Sequence, residues 1–82
     1  MFKTVDVKID EIYVPADRRK EIDAETISKL TDDMLSGEAL KPIKVRDGKG
    51  RYVLIEGVNR LEASKAVGEL TVGAYIVQAR KF

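Results

Sequence analysis

Apolar and polar side chains alternate over Val5-Asp6-Val7-Lys8-Ile9-Asp10, the period of two that marks a strand with one face buried. Ile12-Tyr13-Val14 continues extended as far as Pro15, which has no N–H to give to a ladder and ends the pairing. Residues 16–22 are polar and read as a loop or a single turn. The period then changes. Ile27, Leu30 and Met34 recur at helical spacing behind Asp23, whose carboxylate can accept from the free amides of a first turn, and Gly37 supplies a stop. This predicts a helix over 24–36, with Glu25 near its positive end. Thr26, Lys29 and Asp33 form a polar stripe beside the apolar one.

A second alternating strand, Ile43-Lys44-Val45-Arg46, runs into Asp47-Gly48-Lys49-Gly50, where the glycines suit a tight turn, and Arg51 to Ile55 returns as its partner. Gly57 follows at once. A helix over 59–67 is expected next, with Leu61, Ala63, Ala66 and Val67 on its apolar side and Gly68 as its stop. Thr71 to Gln78 is apolar on both faces and reads as a central strand covered on both sides. There is no internal repeat and no low-complexity segment. The pattern predicts one α+β domain over residues 1–82, a small mixed sheet with two main helices.

Composition narrows the chemistry. The 82 residues contain no Cys and no His, which removes thiol nucleophiles, disulfides, cysteine-based metal sites and the commonest general base. No apolar run reaches the roughly 20 residues of a membrane span, and none resembles a signal peptide, so a cytoplasmic protein is expected. The net charge of +1 conceals a partition. Over residues 1–40, six Lys/Arg stand against ten Asp/Glu, whereas over 41–60 six stand against two. A basic middle segment suits an anionic partner, although Lys44, Arg46, Lys49 and Arg51 can equally be the solvated side of a charged hairpin.

The strand-to-helix turn at Glu56-Gly57-Val58-Asn59-Arg60 carries the sharpest chemistry. A helix that starts at the end of a sheet presents unpaired backbone amides there, which favours an anion. Gly57 lets a ligand approach the backbone, and Arg60 offers a planar bidentate donor to phosphate. The same residues also occur in plain structural turns, with the arginine paired to a carboxylate.

The order of these boxes resembles the ParB/sulfiredoxin fold over roughly residues 5–78. The matching stretches are Arg19-Lys20-Glu21-Ile22-Asp23, Pro42-Ile43-Lys44-Val45, Tyr52-Val53-Leu54-Ile55 before the glycine, and Arg60-Leu61-Glu62-Ala63 in a helix closed by Gly68. The resemblance implies nucleotide binding with phosphates at the Gly-x-x-Arg turn: CTP in the partition proteins, ATP in sulfiredoxin, ADP in free-serine kinases, with Mg²⁺. It assigns Gly57, Asn59 and Arg60 to the phosphate and makes Lys29 a second cation, with Thr26 beside it. The departures matter as much. Val58 stands where sulfiredoxin has its nucleophilic cysteine, which excludes sulfinic-acid reduction. The same valine replaces a glutamate that partition proteins use around metal and nucleotide, which tells against their CTP hydrolysis.

The leading expectation is therefore a domain that binds a nucleotide or another phosphate at Gly57-Val58-Asn59-Arg60. A second is weak, non-specific nucleic-acid or protein binding through the basic hairpin, Lys41, Lys44, Arg46, Lys49 and Arg51; the acidic first half and the few aromatics weigh against it. A third is metal-dependent phosphoryl transfer or phosphodiester cleavage, with Glu56 as base or metal ligand and Asp33 as a second ligand. Glu56 can also be an ordinary polar strand end. The 82 residues hold no helix-turn-helix reader, so sequence-specific DNA binding by this chain alone is not expected.

Overall fold

The computed structural model describes residues 3–78. The elements run β1 (Thr4–Lys8), a 3₁₀ turn (Ile9–Glu11), β2 (Ile12–Tyr13), α1 (Ala16–Arg19), α2 (Ala24–Leu35), β3 (Ile43–Gly48), β4 (Arg51–Glu56), α3 (Val58–Ala66) and β5 (Thr71–Val77). The strands form one mixed sheet in the order β1-β5-β3-β4-β2. β1 and β5 are antiparallel, as are β3 and β4, while β5 lies parallel to β3 and β2 parallel to β4. The expected α+β architecture with two main helices is what the chain adopts.

The core lies on one side of the sheet. Ile43 and Val45 from β3, Leu54 from β4, and Val72 and Ala74 from β5 pack against Val58 and Leu61 of α3. Helix α3 is thus the central helix of the core, and its sequence shows why: Val58 and Leu61 are three apart and meet the sheet on one stripe. Ser64 completes that stripe and is buried, whereas Ala66, expected inside, is exposed. The helix also begins one residue earlier than the pattern suggested, since Gly57 itself is the N-cap.

Helix α2 is different. Asp23 caps it as expected, accepting from the Thr26 N–H at 3.0 Å, and Gly37 follows at a φ of 92°. Yet none of its residues is fully buried. Ile27, Leu30 and Met34 are only half-covered, because the helix leans on α3 rather than on the sheet. It forms a wall, not a core.

Strand β5 lies second in the sheet, between β1 and β3, and β3 holds the centre. The expectation of a central strand covered on both sides is corrected here. Val72 and Ala74 face the core and are buried, while Tyr75 and Val77 on the other face are only half-buried. Their apolar surface lies beside Lys44 and Arg46 of β3, whose aliphatic stems can cover it without a second layer.

A candidate phosphate-binding cleft

The turn between β4 and α3 is shaped by a bulge. Lys44 pairs with Glu56 and Val45 with Leu54, so Ile55 is an extra residue on β4. The shift sets Glu56 beside Lys44 at the sheet's end. Its carboxylate lies 3.9 Å from Lys44 Nζ and 3.7 Å from Arg60 Nη2.

Gly57 then turns the chain with a φ of 106°. Only glycine fits this position for two reasons. The left-handed backbone disfavours a side chain, and a Cβ there would stand 2.8 Å from Cγ2 of the fully buried Ile43. As N-cap, Gly57 has no side chain to bond the first amides of α3, and that first turn contains no acidic residue. The first intrahelical bond is from the Leu61 N–H to the Gly57 carbonyl at 3.0 Å. The Val58, Asn59 and Arg60 N–H groups therefore precede the helical ladder, at the positive end of the helix dipole.

Those groups adjoin a cleft of about 470 Å³. One wall is α2, with Thr26, Leu30 and Asp33; another is the segment Glu38–Lys41; the α3 turn closes the third side. The size falls within the roughly 300–1,000 Å³ of small-molecule sites. Of the residues expected at a site, the fold brings Thr26, Asp33, Gly57, Asn59 and Arg60 to this cleft.

Several of their side chains are already engaged. The Asn59 amide accepts from the Asp23 N–H at 2.8 Å and donates to the Glu21 carbonyl at 3.1 Å, fastening α3 to the segment that enters α2. Arg60 Nη1 donates to the Pro42 carbonyl at 2.7 Å and the Lys41 carbonyl at 3.3 Å, holding the 38–41 wall. The Thr26 hydroxyl donates to Asp23. Together with the Thr26 backbone bond, it holds the Asp23 carboxyl below its ordinary 3.8.

Lys29 and Glu56 stand outside the cleft lining. The Lys29 side chain is 78% exposed and lies 3.4 Å from Asp33. Asp33, expected with Glu56 at a metal, lines the cleft while Glu56 does not, and among the described residues no group of three or more His, Cys, Asp or Glu side chains is gathered to hold a cation. Lys41, expected to act with the basic hairpin, lines the cleft, while Lys44, Arg46, Lys49 and Arg51 belong to β3, β4 and their turn. Sequence reasoning missed Glu21, Glu38, Ala39 and Leu40 as lining residues. No local pattern marks them, because they reach the cleft only through the packing of α2 on α3.

The ParB N-terminal domain family model matches residues 2–81. The chain belongs to this family. It is 33% identical over 76 residues to a probable chromosome-partitioning protein ParB of Helicobacter pylori, covering 92% of this chain but 26% of that protein. The chain thus spans about a quarter of the length of the curated ParB proteins it matches. Among solved structures, sulfiredoxin of Arabidopsis thaliana has a TM-score of 0.81 at 25% identity, covering 94% of this chain and 86% of that one. A C-terminally truncated ParB of Caulobacter crescentus in complex with CTP-γ-S has a TM-score of 0.79 at 23% identity, covering 96% and 46%. The ParB N-terminal fold and the sulfiredoxin fold are thus one architecture, and this chain has it. Among the described residues no helix is long and apolar enough to cross a membrane.

Proposed function

We propose that this ParB N-terminal domain binds a nucleotide or another phosphate-bearing ligand in the cleft between α2, the 38–41 segment and α3. The observation that carries the reading is Gly57. A glycine at a φ of 106°, packed against Ile43, caps a helix without any side chain and leaves its first amides to a 470 Å³ cleft. The phosphate lies on the N–H groups of residues 58–60, and Arg60 and Lys41 add positive charge beside it. Asn59 contributes its backbone amide while its side chain secures the turn. Lys29 stands outside the cleft lining and is paired with Asp33, which lines the cleft. The fold shared with a ParB solved with CTP-γ-S supports the reading.

The residues fit the phosphate end of such a ligand well. Glu21, Asp33 and Glu38 around the cleft accept hydrogen bonds, which suits sugar hydroxyls, amino groups or a phosphate-bound Mg²⁺. The test is titration of the ¹⁵N-labelled protein with CTP, ATP and ADP, each with Mg²⁺, and with pyrophosphate alone. Amide shifts at residues 57–61, with Thr26 and Lys41 following for the nucleotides, are expected. Absence of any shift at millimolar ligand overturns the proposal.

A further inference from the structure

Of the large apolar side chains among the described residues, Leu70 is the most exposed, at 83%. Its backbone is nonetheless held on both sides. The Glu69 N–H returns to the Ser64 carbonyl at 3.0 Å and closes the end of α3. The Ile9 N–H donates to the Leu70 carbonyl, also at 3.0 Å, and Thr71 opens β5 opposite Lys8. The side chain therefore projects from a fixed support, not from a loose loop tip.

Leu70 borders a depression of about 720 Å³ whose other apolar walls are Ile9 and Ile12, both half-buried and packed against the core. Four charged side chains line it with them: Lys8, Asp10, Lys65 and Glu69. Lys65 is tied to Glu62 at 2.9 Å, whereas Lys8, Asp10 and Glu69 have no ion-pair partner among the described residues. One patch thus carries a projecting leucine, an apolar hollow and unpaired charges of both signs. An apolar surface rimmed by polar groups is the usual mark of a contact site.

We infer that this patch is the interface between two copies of the chain related by a two-fold axis. In such an interface the patch meets itself, so each contact is made twice, once in each direction. Leu70 of each copy enters the hollow of the other, against Ile9 and Ile12, and Lys8 of each faces the Asp10 and Glu69 carboxylates of the other. A foreign helix could fill the hollow, but Leu70 would stay in water unless that helix brought a hollow of its own. A second copy brings both, with the charges to match. The patch lies at the C-terminal end of α3 and the cleft at its N-terminal end, so both clefts stay open and the inference does not depend on nucleotide binding.

The test is sedimentation equilibrium, with amide shifts of the ¹⁵N-labelled protein followed over the same concentrations. The patch is small, so the association is weak and the range extends to about 1 mM protein. A monomer–dimer equilibrium is expected, with concentration-dependent shifts at residues 8–12 and 65–71. Leu70→Asp abolishes it, and because Leu70 is exposed this variant keeps the folded spectrum. Lys8→Glu alone, and Asp10→Lys with Glu69→Lys in one chain, each weaken self-association about tenfold or more by setting like charges together. An equimolar mixture of those two variants restores the wild-type affinity, since every pair across the two-fold is then opposite in sign. A single-copy mass throughout the range overturns the inference. So does a dimer that survives Leu70→Asp, a mixture no tighter than its components, or concentration-dependent shifts confined to other residues. Shifts at residues 57–61 on adding pyrophosphate are unaffected by any of these outcomes, so the cleft proposal is tested separately.

Discussion

Gly57 combines two constraints that elsewhere in the chain occur singly. Gly50 also has a positive φ, 74°, but a Cβ there meets nothing within 4 Å. Gly50→Ala therefore carries only the left-handed backbone cost, about 1–2 kcal/mol. Gly57→Ala adds a collision with Ile43, and its loss is expected at about 2–4 kcal/mol. Urea unfolding of both variants checks this, and equal losses would show that Ile43 gives way freely. A second residue-scale effect concerns Asp23. Its carboxyl is held below the ordinary value first by the Thr26 hydroxyl and then by the Thr26 amide, so the charged form is favoured in the folded chain. The sign follows: the cap's contribution is complete above the unfolded carboxyl's pKa near 3.8 and is lost as pH falls through the lower folded value. The stability gap between wild type and Asp23→Ala should be constant near neutrality and close in acid, below about pH 4. A gap that persisted unchanged in strong acid would mean the carboxylate is not the cap.

Between elements, the two side chains expected at the phosphate also act as fasteners. Asn59 joins α3 to the segment entering α2, and Arg60 joins it to the segment entering β3. Asn59→Ala removes two hydrogen bonds across 36 and 38 residues of chain and should cost about 1–2 kcal/mol. Asn59→Asp keeps the acceptor for the Asp23 N–H but turns a carboxylate oxygen toward the Glu21 carbonyl, so it should not rescue the loss. Faster hydrogen exchange at the Asp23 amide in Asn59→Ala is the direct readout; unchanged exchange would show that α2 is held by other contacts. This is also where the sequence was least legible. Local signals located the Asp23 cap, the Gly37 stop and the 47–50 turn, because each depends on residues a few positions apart. The partners of Asn59 and Arg60, the bulge at Ile55 and the half-buried state of α2 depend on pairings between distant segments. Residue type announced that Arg60 would bond oxygen; only the fold decided that the oxygens are those of Lys41 and Pro42.

For the molecule as a whole, the cleft couples three parts of the chain that the core itself does not tie together. Val58 and Leu61 anchor α3 in the core, whereas α2 has no buried residue and the 38–41 segment is held through Arg60. A ligand seated on the α3 turn and touching Thr26 and Lys41 would therefore bridge one rigid wall and two loosely held ones. Two consequences can be measured together. At a ligand concentration about 100 times the dissociation constant, binding to the folded state alone raises unfolding free energy by about 2.7 kcal/mol. Hydrogen exchange should slow at residues 24–27 and 38–41 as well as at 58–60, since segments without a fully buried residue are expected to open locally rather than with the whole fold. Pyrophosphate, which reaches only the α3 turn, should protect 58–60 and leave the two loose walls nearly unchanged. If a nucleotide protected no more of the chain than pyrophosphate does, the rest of the cleft would have no part in recognition, and specificity for a base or sugar would have to come from residues outside it.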